Sequence, residues 1–451
     1  MAPEEFSAQL QEALQLDDKA TLEELLTGIH PADIAHAADD LDLPLLWRVL
    51  TTLSTEDRAE TFGYLSPERQ IALAQTLDRR QLAHFFRHMS ADERADLYNQ
   101  LDPDQQEAIL PSLAQAERDD IRQLASYDEG TAGAIMTSDY STLVPGLTAS
   151  EAIQRLRREA PDKETIYQSY VVDAERKLLG TVSLRDLIVA RARTPIEELM
   201  TTDVISGRVE DGQEEVAGRI SKYDLIALPI LDEQDRLVGI VTYDDAMDVA
   251  EREATEDFQR VGTVSSLESS VREASIGMLY NARIFWLVIL IFANAFSGAG
   301  IAFFEETIEA HVALVFFLPL LIASSGNAGS QAATLTIRAM AVGDVQLRDW
   351  GRMMGRELMV ALLLGLTMAL AVSLLGIFRG GAEIAMVVAL TMITIVVIGS
   401  LLGLSLPFVL RIFNLDPATA STPLVTSLAD VAGVLIYFSI ATWLLTLPTP
   451  G

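Results

Sequence analysis

The sequence predicts a multidomain protein: an all-α N-terminal superhelical domain, an α+β module built from two similar halves, a connecting helix, and a five-span α-helical membrane domain. Three observations carry this. The 451 residues are 50% hydrophobic yet 22% charged, an average that neither a soluble nor a membrane protein produces alone, and dense charge gives way to uncharged runs near Arg283. An apolar residue followed by Ser or Asp recurs every 12 residues from Leu41. A Gly-x-Val-Ser/Thr-x-x-Asp pattern occurs twice before the break, at Gly180 and Gly239. The domains are expected at 1–130, 131–248, 249–282 and 283–451.

The balance of charge narrows the function. With 64 Asp and Glu against 33 Lys and Arg, the net charge is −31, which opposes nucleic acid and makes multivalent cations the natural counter-ions. The absence of Cys removes disulfides, thiolate metal sites and cysteine nucleophiles. Residues 1–10 are acidic and polar rather than basic then apolar, so no cleavable signal is expected and the N-terminal half is placed in the cytosol.

In the first domain the repeated pairs are Leu41-Asp42, Leu53-Ser54, Leu65-Ser66, Leu77-Asp78, Met89-Ser90 and Leu101-Asp102. Ser and Asp cap helices, and Pro67 and Pro103 stand where a first helical residue belongs. Each helix is then about two turns long, too short to be stable alone, so neighbours must stack into a superhelix. His84 and His88 have metal-ligand spacing but no third ligand. Glu60, Asp92 and Asp96 form an acidic face that matters if another domain comes close.

In the second domain Ile135-Met136-Thr137 returns as Leu199-Met200-Thr201. Tyr170-Val171-Val172-Asp173 followed by Gly180-Thr181-Val182-Ser183-Leu184-Arg185-Asp186 returns as Leu228-Pro229-Ile230-Leu231-Asp232 followed by Gly239-Ile240-Val241-Thr242-Tyr243-Asp244-Asp245. Each half reads as strand, turn, strand opening on Gly, and a helix capped by Ser or Thr. This arrangement, over residues 135–249, resembles a tandem CBS (cystathionine-β-synthase-type) pair. The resemblance implies regulation rather than chemistry; in some members the hydroxyl and Asp hold a nucleotide's ribose, which would fall on Ser183 and Asp186 and on Thr242 and Asp245. In others the signature is purely structural.

The connector crowds Asp244, Asp245, Asp248, Glu251, Glu253, Glu256 and Asp257 around one base, Arg252. Like charges at helical spacing destabilise a helix mildly unless a cation or another domain answers them. A solvated linker or a cation-sensing lever both fit.

The membrane runs are 284–304, 312–337, 358–378, 384–413 and 424–447, each meeting the requirement of about 20 residues. Glu305, Glu306 and Glu309 fill the first loop, whereas Arg338, Arg348, Arg352 and Arg356 fill the second. The second loop is therefore expected in the cytosol and Gly451 outside. Pro319 and Ser324-Ser325-Gly326-Asn327-Ala328-Gly329-Ser330-Gln331 interrupt the second run with small and amide residues, which serve close helix packing or line a watery path. Asp430 lies in the last run with no base near it in sequence; an intramembrane carboxylate is a functional-site candidate by default. Asn327 and Asp430 offer the hard oxygen ligands that Mg2+ and Ca2+ prefer.

Pro319 with Gly326 to Gln331, Asp416-Pro417-Ala418, Asp430-x-x-Gly433 running to Tyr437-Phe438, and Glu253-Ala254-Thr255-Glu256-Asp257 stand in an order that resembles the MgtE magnesium channel family along nearly the whole chain. The resemblance implies a homodimer in the bacterial plasma (inner) membrane with an axial pore, Asp430 as ion site and Asp416 beside it, Mg2+ as cargo and ATP as a regulator. It implies cytosolic Mg2+ sites at Glu60, Asp92, Asp96, Glu214, Asp224, Asp245, Asp248, Glu253, Glu256 and Asp257. One departure is Ser325, where the pattern has Gly. In a two-fold dimer one Asp430 per chain becomes two facing carboxylates, which suits a cation that keeps its waters. An ion-coupled secondary divalent-cation transporter and a non-conducting Mg2+ or nucleotide sensor are the competing functions. An enzyme is not expected, since no His-Glu-x-x-His or Gly-x-Ser-x-Gly is present.

Overall fold

A computed structural model describes residues 3–16, 19–265, 271, 274–419 and 422–445. Met1, Leu447 and Gly451, which bound the expected ends, lie outside the described residues. The chain divides into two compact units, Met1–Glu251 and Arg252–Gly451.

The first unit opens with α1 (Pro3–Gln15), α2 (Lys19–Leu26), α3 (Pro31–Ala38), α4 (Leu43–Thr52), α5 (Thr55–Gly63), α6 (Pro67–Ala74), α7 (Arg79–Phe86), α8 (Ala91–Gln100), α9 (Pro103–Ile109) and α10 (Gln115–Leu124). All six repeat positions, Asp42, Ser54, Ser66, Asp78, Ser90 and Asp102, are N-caps. Asp78 Oδ1 accepts from the Arg80 and Gln81 N–H groups at 2.8 and 2.9 Å, and Asp102 from Gln105 N–H at 2.8 Å, each cap worth about 1 kcal/mol. The apolar partners turn inward: Leu41, Leu65, Met89 and Leu101 are buried with Leu46, Phe62, Phe85 and Phe86, and Leu53 and Leu77 pack against this cluster partly buried. Helices this short hold only because that shared face is buried.

Two three-stranded sheets follow with the same topology. In the first, β1 (Tyr140–Leu143) runs parallel to β2 (Thr165–Val172), which is antiparallel to β3 (Leu178–Ser183). In the second, β4 (Gly207–Arg208), β5 (Ala227–Leu231) and β6 (Leu237–Thr242) repeat it. The helices α11 (Ala149–Glu159), α12 (Leu184–Val189) and α13 (Gln213–Tyr223) accompany them. The two copies interlock. Thr137 of the first exchanges hydrogen bonds with Ile240 of the second at 2.8 and 3.0 Å, and Thr201 of the second with Thr181 of the first at 2.9 Å each way. This explains the signature glycines: a Cβ on Gly239 would lie 2.4 Å from Met136 Sδ, and one on Gly180 would lie 2.9 Å from the Thr201 carbonyl oxygen.

A single helix, α14 (Tyr243–Val261), continues directly from β6, so the expected start of the connector at 249 falls within a helix already under way. The second unit then holds α15 (Ile276–Phe303), α16 (Glu305–Ala310), α17 (Ala313–Ala341), α18 (Trp350–Ile412) and α19 (Thr422–Leu444). Four helical stretches among the described residues are long and apolar enough to cross a membrane: Ile276–Phe303, Ala313–Ala341, Leu347–Ile412 and Thr422–Leu444. Where five runs were expected, the third and fourth form one helical stretch broken at Gly381, whose φ of 80° and ψ of −176° no helix contains. The two limbs fold back on each other, since Cβ atoms at Gly376 and Gly365 would lie 2.6 Å from Ala385 Cα and 3.0 Å from Ile393 Cα. Arg379, beside this reversal, lies over the Phe316 ring, 4.9 Å from its centroid.

Candidate cation sites

In the first unit the acidic face is assembled from three pieces of chain. Asp92 and Glu93 sit in the first turn of α8, Asp139 and Glu164 flank the first sheet, and Asp244 and Asp245 open α14. Burial raises the Asp92 carboxyl against hydrogen bonds from its own backbone N–H, Ser90 and Thr137, with Asp139 adding repulsion. Glu93 is pushed up to about 7 by burial and then by Asp92. Glu164 is likewise pushed to about 7 by burial and by Asp92, Asp244, Glu93 and Asp139, and Asp245 to about 8 by burial and Asp92. The same field reaches Tyr64, whose hydroxyl is raised by burial and then by Glu60, Glu93, Asp244 and Asp248. Two bases answer part of it: Arg94 lies 3.6 Å from Asp120 and 3.5 Å from Asp139, and Lys163 lies 3.9 Å from Asp139.

Of the expected regulatory residues, Glu60, Asp92, Asp245 and Asp248 are thus brought into one field, and Asp96 lies on the same helix as Asp92. Glu214 and Asp224 stand at opposite ends of α13, the latter closing it with φ of 52°. Roughly 15 Å of helix separates them, so they cannot be ligands of one ion within a chain. The sequence reading missed Glu93, Asp139 and Glu164 as members of the cluster, and it placed Asp244 only in the connector crowd. Glu93 was masked by its role as the capping-box partner of Ser90. Among the described residues no three carboxylates or imidazoles converge as the ligands of a dehydrated metal would. His88 Nδ1 instead lies 2.8 Å from its neighbour's carbonyl, that of His84.

The nucleotide candidates are engaged with each other. The Ser183 hydroxyl donates to Asp186 Oδ2 at 2.6 Å while accepting from the Asp186 N–H at 3.0 Å, and Thr242 donates to Asp245. Both signatures therefore close helix starts.

In the second unit, α17, α18 and α19 pack around Phe317, Leu321, Val388, Met392, Val396, Tyr437 and Phe438. The small residues of α17 bring backbones together: a Cβ at Gly399 would lie 2.5 Å from the Ser325 carbonyl oxygen, and one at Gly403 would lie 1.9 Å from that of Gly329. Ser325 fits this seam, buried with its hydroxyl donating to the Ile395 carbonyl at 2.9 Å. Against α19, Ser330 and Thr426 hydroxyls meet at 3.3 Å. Asn327 is exposed, on neither seam. Asp430, one turn beyond Thr426, is half-buried, and its Oδ1 is buried without a hydrogen-bond partner among the described residues.

Asp416 lies in the turn between α18 and α19. Its Oδ1 accepts from the Ala418 N–H at 2.8 Å, while Oδ2 is paired with Arg260 near the end of α14. Glu256 pairs with the same guanidinium. Burial and then Glu253 raise the Asp257 carboxyl, against Arg260 and Arg338.

The profile of the MgtE divalent cation transporter family matches residues 318–440, that of the MgtE intracellular N domain matches 29–130, and that of the CBS domain matches 132–193 and 196–252. The magnesium transporter MgtE of Thermus thermophilus is 42% identical over 98% of this chain and 99% of its own length. The chain belongs to the MgtE family. The MgtE of Bacillus subtilis is 32% identical over 93% of this chain and 92% of its own. A crystal structure of the cytosolic domain of the Mg2+ channel MgtE in complex with ATP is 41% identical, with a TM-score of 0.52, covering 54% of this chain and 99% of that one. MgtE is a transport family, not an enzyme family, and its N-terminal domain, CBS pair and helical C-terminal region are all present here.

The acidic cluster of the first unit makes stability depend on pH. Glu93, Glu164 and Asp245 titrate higher in the folded chain than the ordinary value near 4. The folded state thus binds more protons, and their stabilisation is present at low pH and lost as pH rises from about 4 through 7 to 8. In chelator the melting temperature of the full chain should fall between about pH 5.5 and 8.5, and Mg2+ should raise it more at the higher pH. Equal Mg2+ shifts at both values would disprove the coupling.

Proposed function

We propose that this chain conducts Mg2+ into the bacterial cell through the plasma membrane, as a homodimer with the pore on its two-fold axis. The observation that carries this reading is Asp430, a carboxylate in an apolar helix with one buried oxygen unpartnered among the described residues, in a chain of the MgtE family. A buried acceptor left unmet costs about 1–3 kcal/mol, and the first hydration shell of a divalent cation supplies donors. Asp430 lines the path with Asn327, and Asp416 stands at one end of it. The membrane domain, residues 283–451, crosses five times because the stretch Trp350–Ile412 turns back at Gly381; its 63 residues would otherwise extend roughly 95 Å, three times a hydrocarbon core. The N-terminal superhelix (1–130), the CBS pair (131–248) and the connector (249–282) lie in the cytosol and the C-terminus outside.

Cytosolic Mg2+ closes the channel by binding the acidic faces of the N-terminal helices (Glu60, Asp92, Asp96), the second CBS copy (Glu214, Asp224) and α14 (Asp245, Asp248, Glu253, Glu256, Asp257). ATP binds the CBS pair and modulates this closure, with Ser183, Asp186, Thr242 and Asp245 as candidate ribose contacts; support comes from the related cytosolic domain solved with ATP.

Purified full-length chain in liposomes tests the reading. Mg2+ flux should follow the Mg2+ electrochemical gradient alone and should be inhibited by Mg2+ on the cytosolic face, with ATP shifting the inhibitory concentration. Flux that vanishes when a proton or sodium gradient is collapsed would replace the channel by a coupled transporter, and binding without flux would replace it by a sensor. An inhibitory concentration unmoved by millimolar ATP would remove the nucleotide.

A further inference from the structure

The guanidinium of Arg260 lies among carboxylates proposed above as cation ligands. It is held between Glu256 on its own helix and Asp416 in the turn between α18 and α19. Next to it Val261 packs on a cluster of Ala333, Ile337, Ala418 and Val425, which fixes this end of α14 against α17, the turn and the start of α19. Asp416 is fixed as well, by the N–H of Ala418 on its other oxygen. A fork that donates to two carboxylates from different elements makes the contacts that a divalent cation would make, with one positive charge instead of two.

We propose that Arg260 is a tethered competitor for divalent cations at Asp416 and Glu256, a positioning residue that sets the Mg2+ concentration at which this end of α14 is engaged. The inference rests on the gating reading above. A cation reaching Asp416 must first displace the guanidinium, so the apparent affinity of the site is its intrinsic affinity reduced by the fraction of time Arg260 leaves it open. With the paired side chains about a third exposed, the ion pair is partly screened, and its removal should tighten Mg2+ by about two- to fivefold.

The test uses the full chain and two readouts. In liposomes, Arg260→Gln and Arg260→Met should each lower the Mg2+ concentration that half-inhibits flux by about two- to fivefold, and Arg260→Lys, which keeps the charge, should leave it within about twofold. In detergent, Mg2+ titration of the melting temperature should show the same leftward displacement without any transport. A structural staple alone would behave differently: its loss would lower the melting temperature in chelator and leave the Mg2+ midpoint unmoved or higher, which would overturn the proposal. Whichever neutral variant elutes as a folded particle decides, since both remove the charge. If the unaltered chain shows no inhibition by Mg2+, the gating reading fails, while the competition still stands or falls on the melting titration.

Discussion

Asp430→Ala should abolish selective Mg2+ flux in liposomes, lowering it at least tenfold while the protein elutes as before. In the proposed two-fold pore the substitution removes two carboxylates at once. Each interacts with a divalent charge at about 4 Å by several kcal/mol even at an effective dielectric constant near 20, and a factor of ten needs only about 1.4 kcal/mol. Folding should survive, because Asp430 is half-buried and its Oδ1 has no hydrogen-bond partner among the described residues for truncation to break. Asp430→Asn keeps the shape and removes the charge; it separates a steric gate from an electrostatic one. Unchanged flux and selectivity in both variants would refute the assignment.

A second large effect is expected on regulation alone. Neutralising Asp245, Asp248, Glu253, Glu256 and Asp257 together should leave conduction near its normal level and raise the cytosolic Mg2+ needed for closure by tenfold or more. Asp245 and Asp257 have carboxyls raised by burial and by neighbouring acids, which is the repulsion that a bound cation relieves. A ligand shifts a conformational equilibrium only by its differential affinity for the two states, and removing five acceptors removes that difference. The measurement is patch recording with Mg2+ stepped on the cytosolic face. A quintuple variant that still closes at the usual concentration would rule these residues out.

How much of this was legible in the sequence depends on the range of the interaction. Asp78 and Asp102 could be read as caps because the partners that decide a cap lie two or three residues away. The apolar runs were legible because bilayer thickness fixes their length. What the chain order hides is which distant pieces meet. Gly399 and Gly403 look like ordinary small residues in an apolar run, and only their approach to the Ser325 and Gly329 carbonyls shows why no larger side chain fits. Glu164 precedes a strand and carries no motif; its partners in the acidic field come from α8, from α14 and from Asp139 just before β1. Arg260 meets its second carboxylate, Asp416, only because the fold brings the turn between α18 and α19 to the end of α14. The Gly380-Gly381 pair fell between two expected spans, but only the backbone dihedrals locate the reversal at the second glycine.

The exchange of Thr137 with Ile240 and of Thr201 with Thr181 bears on how this chain can be divided. A cut between 193 and 196, where the two CBS matches abut, is where the sequence pattern alone would separate the copies. It would send Met136 away from the glycine notch that receives it and leave the Thr181 N–H and carbonyl facing solvent at the border of β3. Neither fragment would be half of the module, because each copy is completed by a segment that enters from the other. The unit that can be excised, transplanted or inherited intact is the pair.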